Sequence, residues 1–245
     1  MNALPFRKMH AQGNDFVILD VRRHGLPGTA FDADGNTQPD AELIIALADR
    51  RLGVGCDQVL VLLPDEEHDA ALHIFNNDGS EAGNCGNGLR CVGSMLMSEN
   101  GAPSATIRLR DRTVRSEWLE NGVRVHMGRA NITASTGAHV DIEIGNCHRV
   151  FFEAVEDFPE DCNIEIVSGQ VADDAYVDII ERGAGRTPSC GSGACATAVA
   201  IWHQDGHQRP QHIHMPGGMV TVSGNADDVR LEGPVSFVFD GEFRL

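Results

Sequence analysis

Lysine is nearly missing from this chain. Lys8 is the only one among 245 residues, so the Lys+Arg total of 19 is otherwise arginine. A pyridoxal-phosphate enzyme needs a lysine for its Schiff base. Lys8 lies in an early strand-like segment with nothing to suggest that role, so no cofactor of this kind is expected. Basic charge is scarce altogether. A net charge of −17 speaks against nucleic acid, whose phosphates require a basic surface, and reads as a heavily solvated exterior. No apolar run is long enough to span a membrane, and Met1 to Met9 has no signal-peptide core. A soluble, cytoplasmic protein is the expectation. The cysteines (Cys56, Cys85, Cys91, Cys147, Cys162, Cys190 and Cys195) are odd in number and include no C-x-x-C pair, which fits reduced thiols better than a disulfide framework. No glycine-rich segment sits in a strand–GxGxxG–helix context, so no nucleotide is suggested. His203, His207, His212 and His214 show no zinc spacing, and no metal is expected.

What the chain does carry is one motif twice: Cys85-Gly86-Asn87-Gly88 and Cys190-Gly191-Ser192-Gly193. An apolar, helix-like stretch follows each. A cysteine just ahead of a helix meets the positive end of the helix dipole and unpaired backbone N–H groups, which predicts a lowered thiol pKa. The same N–H groups can hold a carboxylate. Two such half-sites facing one substrate suit the movement of a proton from one face of a carbon to the other. Cys56, Cys91, Cys162 and Cys195 read instead as small buried core residues.

Strand-like runs precede each motif. Phe16–Leu19, Val59–Leu63 and Leu72–Phe75 come before the first; Val140–Ile144, Val150–Phe152, Ile164–Val167 and Tyr176–Ile180 come before the second. Asp40 to Arg51 has Leu43, Ile44, Leu47 and Ala48 on one face and predicts a helix. Asn121-Gly122 is a hairpin turn between Val114–Leu119 and Val123–Met127, and the domain boundary is placed there. The tail alternates strands and turns at Met219–Ser223, Val229–Glu232 and Val235–Phe239. Residues 22–39, rich in Gly, Pro and Asp, read as a surface loop. Two similar domains follow, 1–119 with Cys85 and 120–234 with Cys190, each a bent sheet around a helix, with the site in the cleft between them. The C-terminal strand 235–245 is a candidate to return to the first domain.

These motifs resemble the diaminopimelate epimerases, amino-acid epimerases that work without pyridoxal phosphate. Lys8 to Phe16 looks like the family's opening signature. Phe75 to Glu81 with Cys85 to Cys91 looks like its first catalytic block, and Glu181 to Gly185 with Cys190 to Cys195 like its second. The resemblance implies an α+β fold of two pseudo-symmetric domains, each a β-barrel-like mixed sheet wrapped around a central helix. It carries the base and acid roles to Cys85 and Cys190. Asn14, Gln58, Asn76, Asn146, Asn163 and Arg182 match substrate-binding positions, Arg182 for the distal carboxylate. The amides of Gly86, Asn87, Gly191 and Ser192 would hold the reacting carboxylate, and His148 and Glu181 match polar neighbours of the cysteines. No cofactor is implied. The partners implied are an amino-acid substrate and a second copy of the chain, in lysine and cell-wall biosynthesis.

The chain departs from the family at several places. Cys147 stands where proline is usual, Arg149 where cysteine is, Arg186 where glutamate is, and Arg129-Ala130 lacks the usual Xaa-Pro. Phe239 replaces a tyrosine tied to dimer packing, and the stretch 149–163 is short by a helix. Two other readings therefore stand beside the first: a racemase of the same mechanism for another amino acid, such as histidine, and an amino-acid-binding relative without turnover. An isomerase of the phenazine-biosynthesis type is disfavoured, because that group does not use the cysteine pair.

Overall fold

The computed structural model describes residues 3–22, 39–155, 158–159, 161–182 and 184–244. Most of the loop expected over 22–39 lies outside them. The chain divides into two compact units. The first comprises Met1–Ala11, Asp15–Glu117 and Val235–Leu245; the second comprises Gln12–Asn14 and Trp118–Pro234. Mixed sheet and three helices make up the described residues.

The first unit is built from β1 (Ala3–Ala11), β2 (Asn14–Asp20), α1 (Ala41–Ala48), β3 (Gln58–Leu63), β4 (Ala70–Asn76), β5 (Glu81–Ala82), α2 (Gly86–Asn100), β6 (Ser104–Arg108) and β7 (Thr113–Leu119). The second unit supplies β8 (Gly122–Gly128), β9 (Asn131–Ser135), β10 (His139–Glu143), β11 (Cys147–Phe151), β12 (Asn163–Val171), β13 (Asp174–Glu181) and β14 (Gly185–Arg186). It continues with α3 (Gly191–Asp205), β15 (Gln211–Met215), β16 (Gly218–Asn225) and β17 (Asp228–Gly233), and β18 (Ser236–Arg244) returns to the first. The helix expected over Asp40 to Arg51 stops at Ala48. Asp49 caps it, and the amides of Val54 and Gly55 fold back onto Leu47 O.

In the first unit the sheet runs β18–β1–β2–β3–β4–β6–β7. Helix α2 touches both β1 and β6, which have three strands between them in that order, so the sheet bends around it. In the second unit the order is β8–β17–β16–β15–β13–β12–β11–β10–β9. Its two end strands, β8 and β9, are separated only by Arg129 and Ala130, so the ribbon must curl round on itself. Helix α3 touches β10, β11, β12, β15, β16 and β17, and is buried on every side from Gly191 to Trp202. A helix enclosed in this way must be apolar or small around its whole circumference, and Gly191 to Ile201 is rich in Gly, Ala and Val.

The two units share one plan. From Gln58 to Gly101 and from Asn163 to Gly206 they correspond at a constant offset of 105 positions, Cys85 matching Cys190. Strands β3 and β4 pair in the same register as β12 and β13, and β5 sits on β4 as β14 sits on β13. Both helices have 15 residues and end on a left-handed glycine, Gly101 (φ 62°) and Gly206 (φ 70°), a conformation open to a residue without Cβ. The parallel pair β2/β3 corresponds to β11/β12. Each of those pairs is entered from a turn with a left-handed glycine followed by asparagine, Gly13-Asn14 and Gly145-Asn146.

Two local features correct or extend the sequence reading. Cys147 and Cys162 form a disulfide, Cα–Cα 5.0 Å, where reduced thiols and an inert Cys162 were expected. The physical reason is the register of the parallel pair. His148 lies opposite Asn163, which brings the residues just ahead of each side by side. The lone lysine has a structural post: Lys8 is 8% exposed, and its Nζ donates to Asp15 Oδ2 (2.5 Å) and to Gly55 O. Arg50 donates to the same carboxylate and to Asp57. Burial pushes the Asp15 carboxyl up, but hydrogen bonds from Arg50 and Lys8 outweigh it and bring its pKa down to about 2.

A carboxylate with a depressed folded pKa stabilises above its unfolded value and loses that contribution as pH falls through the folded one. The stability advantage of the native chain over Asp15→Asn is therefore about 2 kcal/mol near neutrality and shrinks as pH falls from about 4 to about 2, read by urea unfolding at stepped pH. Opening the disulfide, by a dithiol reductant or by Cys147→Ser with Cys162→Ser, releases a loop of separation 15. It is expected to cost about 3 kcal/mol by the loop-closure relation, read in the same unfolding assay.

Candidate active site

Each cysteine motif builds the same local object. Cys85 has extended backbone (φ −153°, ψ 100°) and caps α2, its Sγ accepting from Gly88 N at 3.4 Å. Cys190 (φ −130°, ψ 118°) caps α3, its Sγ accepting from Gly193 N at 3.4 Å. One of the amides orphaned at each helix start is thus given to sulfur. Gly86, Asn87, Gly191 and Ser192 form the first turns and are buried. Asn87 Oδ1 accepts from the fully buried Arg90 guanidinium at 2.5 Å, which fixes the asparagine beside Cys85.

In the first unit the strands ahead of Cys85 bring Gln58 and Asn76 together. They are register partners on β3 and β4, and Gln58 Nε2 donates to Asn76 Oδ1 at 2.9 Å. Asn76 Nδ2 in turn donates to Ser80 Oγ at 3.0 Å. Asn14 belongs with the second unit, in the turn Gln12–Asn14. That turn lies against the stretch leading to Cys190: the nearest neighbour of Gly13 is Pro188, and Gly217 fits closely beneath Gln12 O.

In the second unit Asn163 and Glu181 hold the places that Gln58 and Asn76 hold in the first. Asn163 Oδ1 accepts from Arg182 N at 2.9 Å, and Glu181 Oε1 accepts from Thr187 Oγ1 at 2.6 Å. The Arg182 side chain is exposed. Asn146 lies in the β10–β11 turn two residues ahead of His148, with Ile144 N donating to its carbonyl. His148 is fully buried, and its Nδ1 is 2.8 Å from Oε1 of the equally buried Glu165. Sequence reasoning passed over Glu165, reading Ile164-Glu165-Ile166-Val167 only as a strand. All four residues are buried. The constant offset of 105 is the signal that finds it, since Glu165 falls on the apolar Leu60.

The electrostatics of Cys190 overturn the expectation of a lowered thiol pKa. Burial raises it well above its ordinary value, and the Glu181 and Glu165 carboxylates add to the rise; hydrogen bonds from Ser192 and Gly193 N oppose them and lose. The helix N-terminus is a local effect, whereas desolvation and two acidic neighbours come from the tertiary fold. Glu181 is itself pushed up by burial, opposed by Thr187 and Cys190. At neutral pH Cys190 therefore rests as a thiol. The other buried cysteines behave as core residues: Cys91 and Cys195 are fully enclosed, and burial lifts the Cys56 thiol to about 11.

Among the described residues no group of His, Cys, Asp or Glu is arranged to hold a metal ion, and no helix is long and apolar enough to cross a membrane. His212 and His214 instead face Thr221 and Asp174.

Several known proteins are similar to this chain. A diaminopimelate epimerase from Rhodospirillum centenum is 36% identical over 97% of this chain and 91% of its own length. One from Xanthomonas campestris pv. campestris is 35% identical over 98% and 96%. Solved structures share the fold at low identity. A phenazine biosynthesis protein from Bacillus anthracis has a TM-score of 0.74 at 14% identity, covering 100% of both chains. A probable proline racemase from Agrobacterium radiobacter has a TM-score of 0.70 at 15% identity, covering 99% of this chain and 93% of that one. The sequence profile of diaminopimelate epimerase matches residues 6–133 and 145–238, and with both cysteine-capped helix starts inside the matched segments, the chain belongs to the diaminopimelate epimerase family.

Proposed function

We propose that this protein is a cofactor-independent isomerase that interconverts LL- and meso-diaminopimelate by moving a proton at the α-carbon. The observation that carries the reading is the cysteine-capped helix start, present in both repeats of a chain 36% identical over 97% of its length to a diaminopimelate epimerase.

The chemistry follows from the acidity of the substrate. An α-proton next to a carboxylate is very weakly acidic, so a base must work together with groups that stabilise the charge developing on that carboxylate. In this reading Cys85 and Cys190 are the base and acid, one on each face of the carbon, exchanging roles for the reverse reaction. The amides of Gly86, Asn87, Gly191 and Ser192 receive the reacting carboxylate, with a helix dipole behind each pair. Asn14, Gln58, Asn76, Asn146, Asn163 and Arg182 bind the rest of the amino acid, Arg182 taking the distal carboxylate. Cys190, resting as a thiol, is the proton donor to the carbanion in one direction. When it must serve as base, Glu181 beside it is the group that eases the loss of its proton.

The reading extends to a cytoplasmic homodimer. Support for the dimer is a row of exposed apolar residues on β18, Phe237, Val238 and Phe239, on a strand that pairs on its one side with β1. Sedimentation should give twice the chain mass, and Phe237→Asp with Phe239→Asp should lower it to that of one chain.

Incubation with meso-diaminopimelate in deuterated water should place deuterium at the α-carbon and build up the LL form. Cys85→Ala and Cys190→Ala should each lower the epimerisation rate at least about 1,000-fold, the upper range for losing an acid–base group. Exchange into histidine or proline but not into diaminopimelate would defeat the reading.

A further inference from the structure

The repeat places the disulfide opposite an unexpected counterpart. On β2, Phe16 lies opposite Gln58 of β3; on β11, His148 lies opposite Asn163 of β12. The residues one step ahead of these are Asp15 and Asp57 in the first unit, Cys147 and Cys162 in the second. Both pairs are joined. Asp15 N donates to Asp57 Oδ2 at 3.1 Å, and Asp57 N donates to Asp15 Oδ1 at 3.0 Å. Arg50 then bridges the two carboxylates, its Nη2 donating to each at 2.7 Å. At the same post in the second unit stands the Cys147–Cys162 bond.

The crossovers explain why the chemistry differs. Parallel strands need a connection of a dozen or more residues, usually a helix. The first crossover, 21–57, carries α1 and brings Arg50 to the strand starts just past its end. The second spans only 152–162, and its described residues include no helix. It therefore has no counterpart of α1 to carry a bridging arginine, and a covalent bond takes that place. This crossover also has apolar anchors of its own, since Val155 and Phe158 pack on Phe151, Ile164 and Ile166. The particular effect of the bond thus falls on the strand starts.

Two unrelated chemistries at one post indicate that the position of the strand starts is what both secure. Asn14 immediately precedes Asp15, and Gln58 follows Asp57; Asn146 precedes Cys147, and Asn163 follows Cys162. Asn163 Oδ1 in turn accepts from Arg182 N at 2.9 Å. We propose that Cys147 and Cys162 are positioning residues, whose bond holds Asn146 and Asn163, and through Asn163 the Arg182 backbone, in place to grip the substrate. A dithiol that opens the bond then weakens substrate binding and leaves the proton transfer intact. In that step the dithiol gives up two electrons and two protons, its own sulfurs join in a ring, and the S–S bond becomes two thiols. Cys85 and Cys190 are free cysteines already, so the dithiol leaves them unchanged.

The substrate effect rests on the epimerase reading, whereas the effect on Arg182 does not, and the experiment separates them. In Cys147→Ser with Cys162→Ser, assayed well below its melting temperature, KM for meso-diaminopimelate should rise about five- to ten-fold. That is the worth of about one hydrogen bond to the substrate. The kcat should stay within about two-fold, as for a group that binds ground and transition states alike. Dithiothreitol should raise the wild-type KM equally, reoxidation should restore it, and the serine variant should respond to neither. A folded open form with wild-type KM, or one that loses kcat alone, overturns the proposal. Amide hydrogen exchange needs no substrate. The Arg182 amide should exchange at least about ten-fold faster once the bond is open, while the Ala194 amide, bonded to Cys190 O in α3, keeps its rate. An unchanged Arg182 rate overturns the proposal. Where the serine variant does not fold, the reduced wild type decides; if both open forms unfold, the bond is a staple of the fold and the proposal falls. Absence of α-proton exchange by the wild type defeats the epimerase reading and leaves the amide measurement to decide.

Discussion

Everything in this molecule is arranged around a helix whose first turn is buried. A helix start has amides with no partner along the chain, and burying them unpaired is costly. Here sulfur answers for one of them in each unit, because Cys85 and Cys190 cap α2 and α3 through the amides of Gly88 and Gly193. That choice sets the rest. The start of the helix must be slim enough for the strands to close on it, hence the two glycines in the first turn after each cysteine and, in α3, the alanines that follow. The residues on the strand below press so closely on the first turn that Gly88 and Gly193 have little or no room for a side chain. The sheet that wraps the helix then delivers polar side chains from its strand ends to the same place.

Those side chains come in pairs. Asn14 corresponds to Asn146, Gln58 to Asn163, Asn76 to Glu181, and Asn87 to Ser192. The amides and the amide-bearing side chains are thus nearly repeated. What is not repeated is the charge. Glu181 replaces an asparagine, Arg182 replaces Asn77, and His148 with Glu165 replaces Phe16 with Leu60. The second unit gathers buried acidic groups around its cysteine, whereas the first buries the Arg90 guanidinium next to its own.

Much of this was legible in the residues. The two cysteine motifs located both central helices, and β-branched runs located the strands that carry Gln58, Asn76, Asn163 and Glu181. Asn121-Gly122 located the β7–β8 turn. These are local signals, written in spacing and turn chemistry. What escaped was non-local. The Cys147–Cys162 bond depends on a parallel register between β11 and β12 that no spacing of 15 residues declares. Glu165 was hidden because a strand buried on both faces does not alternate, so nothing along the chain marked its one charge as buried. The thiol of Cys190 was misjudged because the helix dipole can be read along the chain, whereas the burial and the carboxylates that outweigh it cannot. The role of Lys8 in the turn carrying Asn14 needed Asp15, Arg50 and Gly55 to be seen together.

That misjudgement bears on how a thiol pair can work without a cofactor. If both cysteines were simply activated by helix dipoles, both would tend to ionise, and the enzyme would lack its acid. A proton transfer across one carbon needs a thiolate and a thiol at the same moment. Burial beside Glu181 and Glu165 holds the proton on Cys190 against the dipole of α3, and in the proposed mechanism that proton is the acid. In that mechanism Glu181, whose own pKa burial has raised, is the neighbour that can share the proton when the direction reverses. In the proposed mechanism, charge asymmetry between two units of similar sequence and plan supplies the unlike partners that a proton transfer needs.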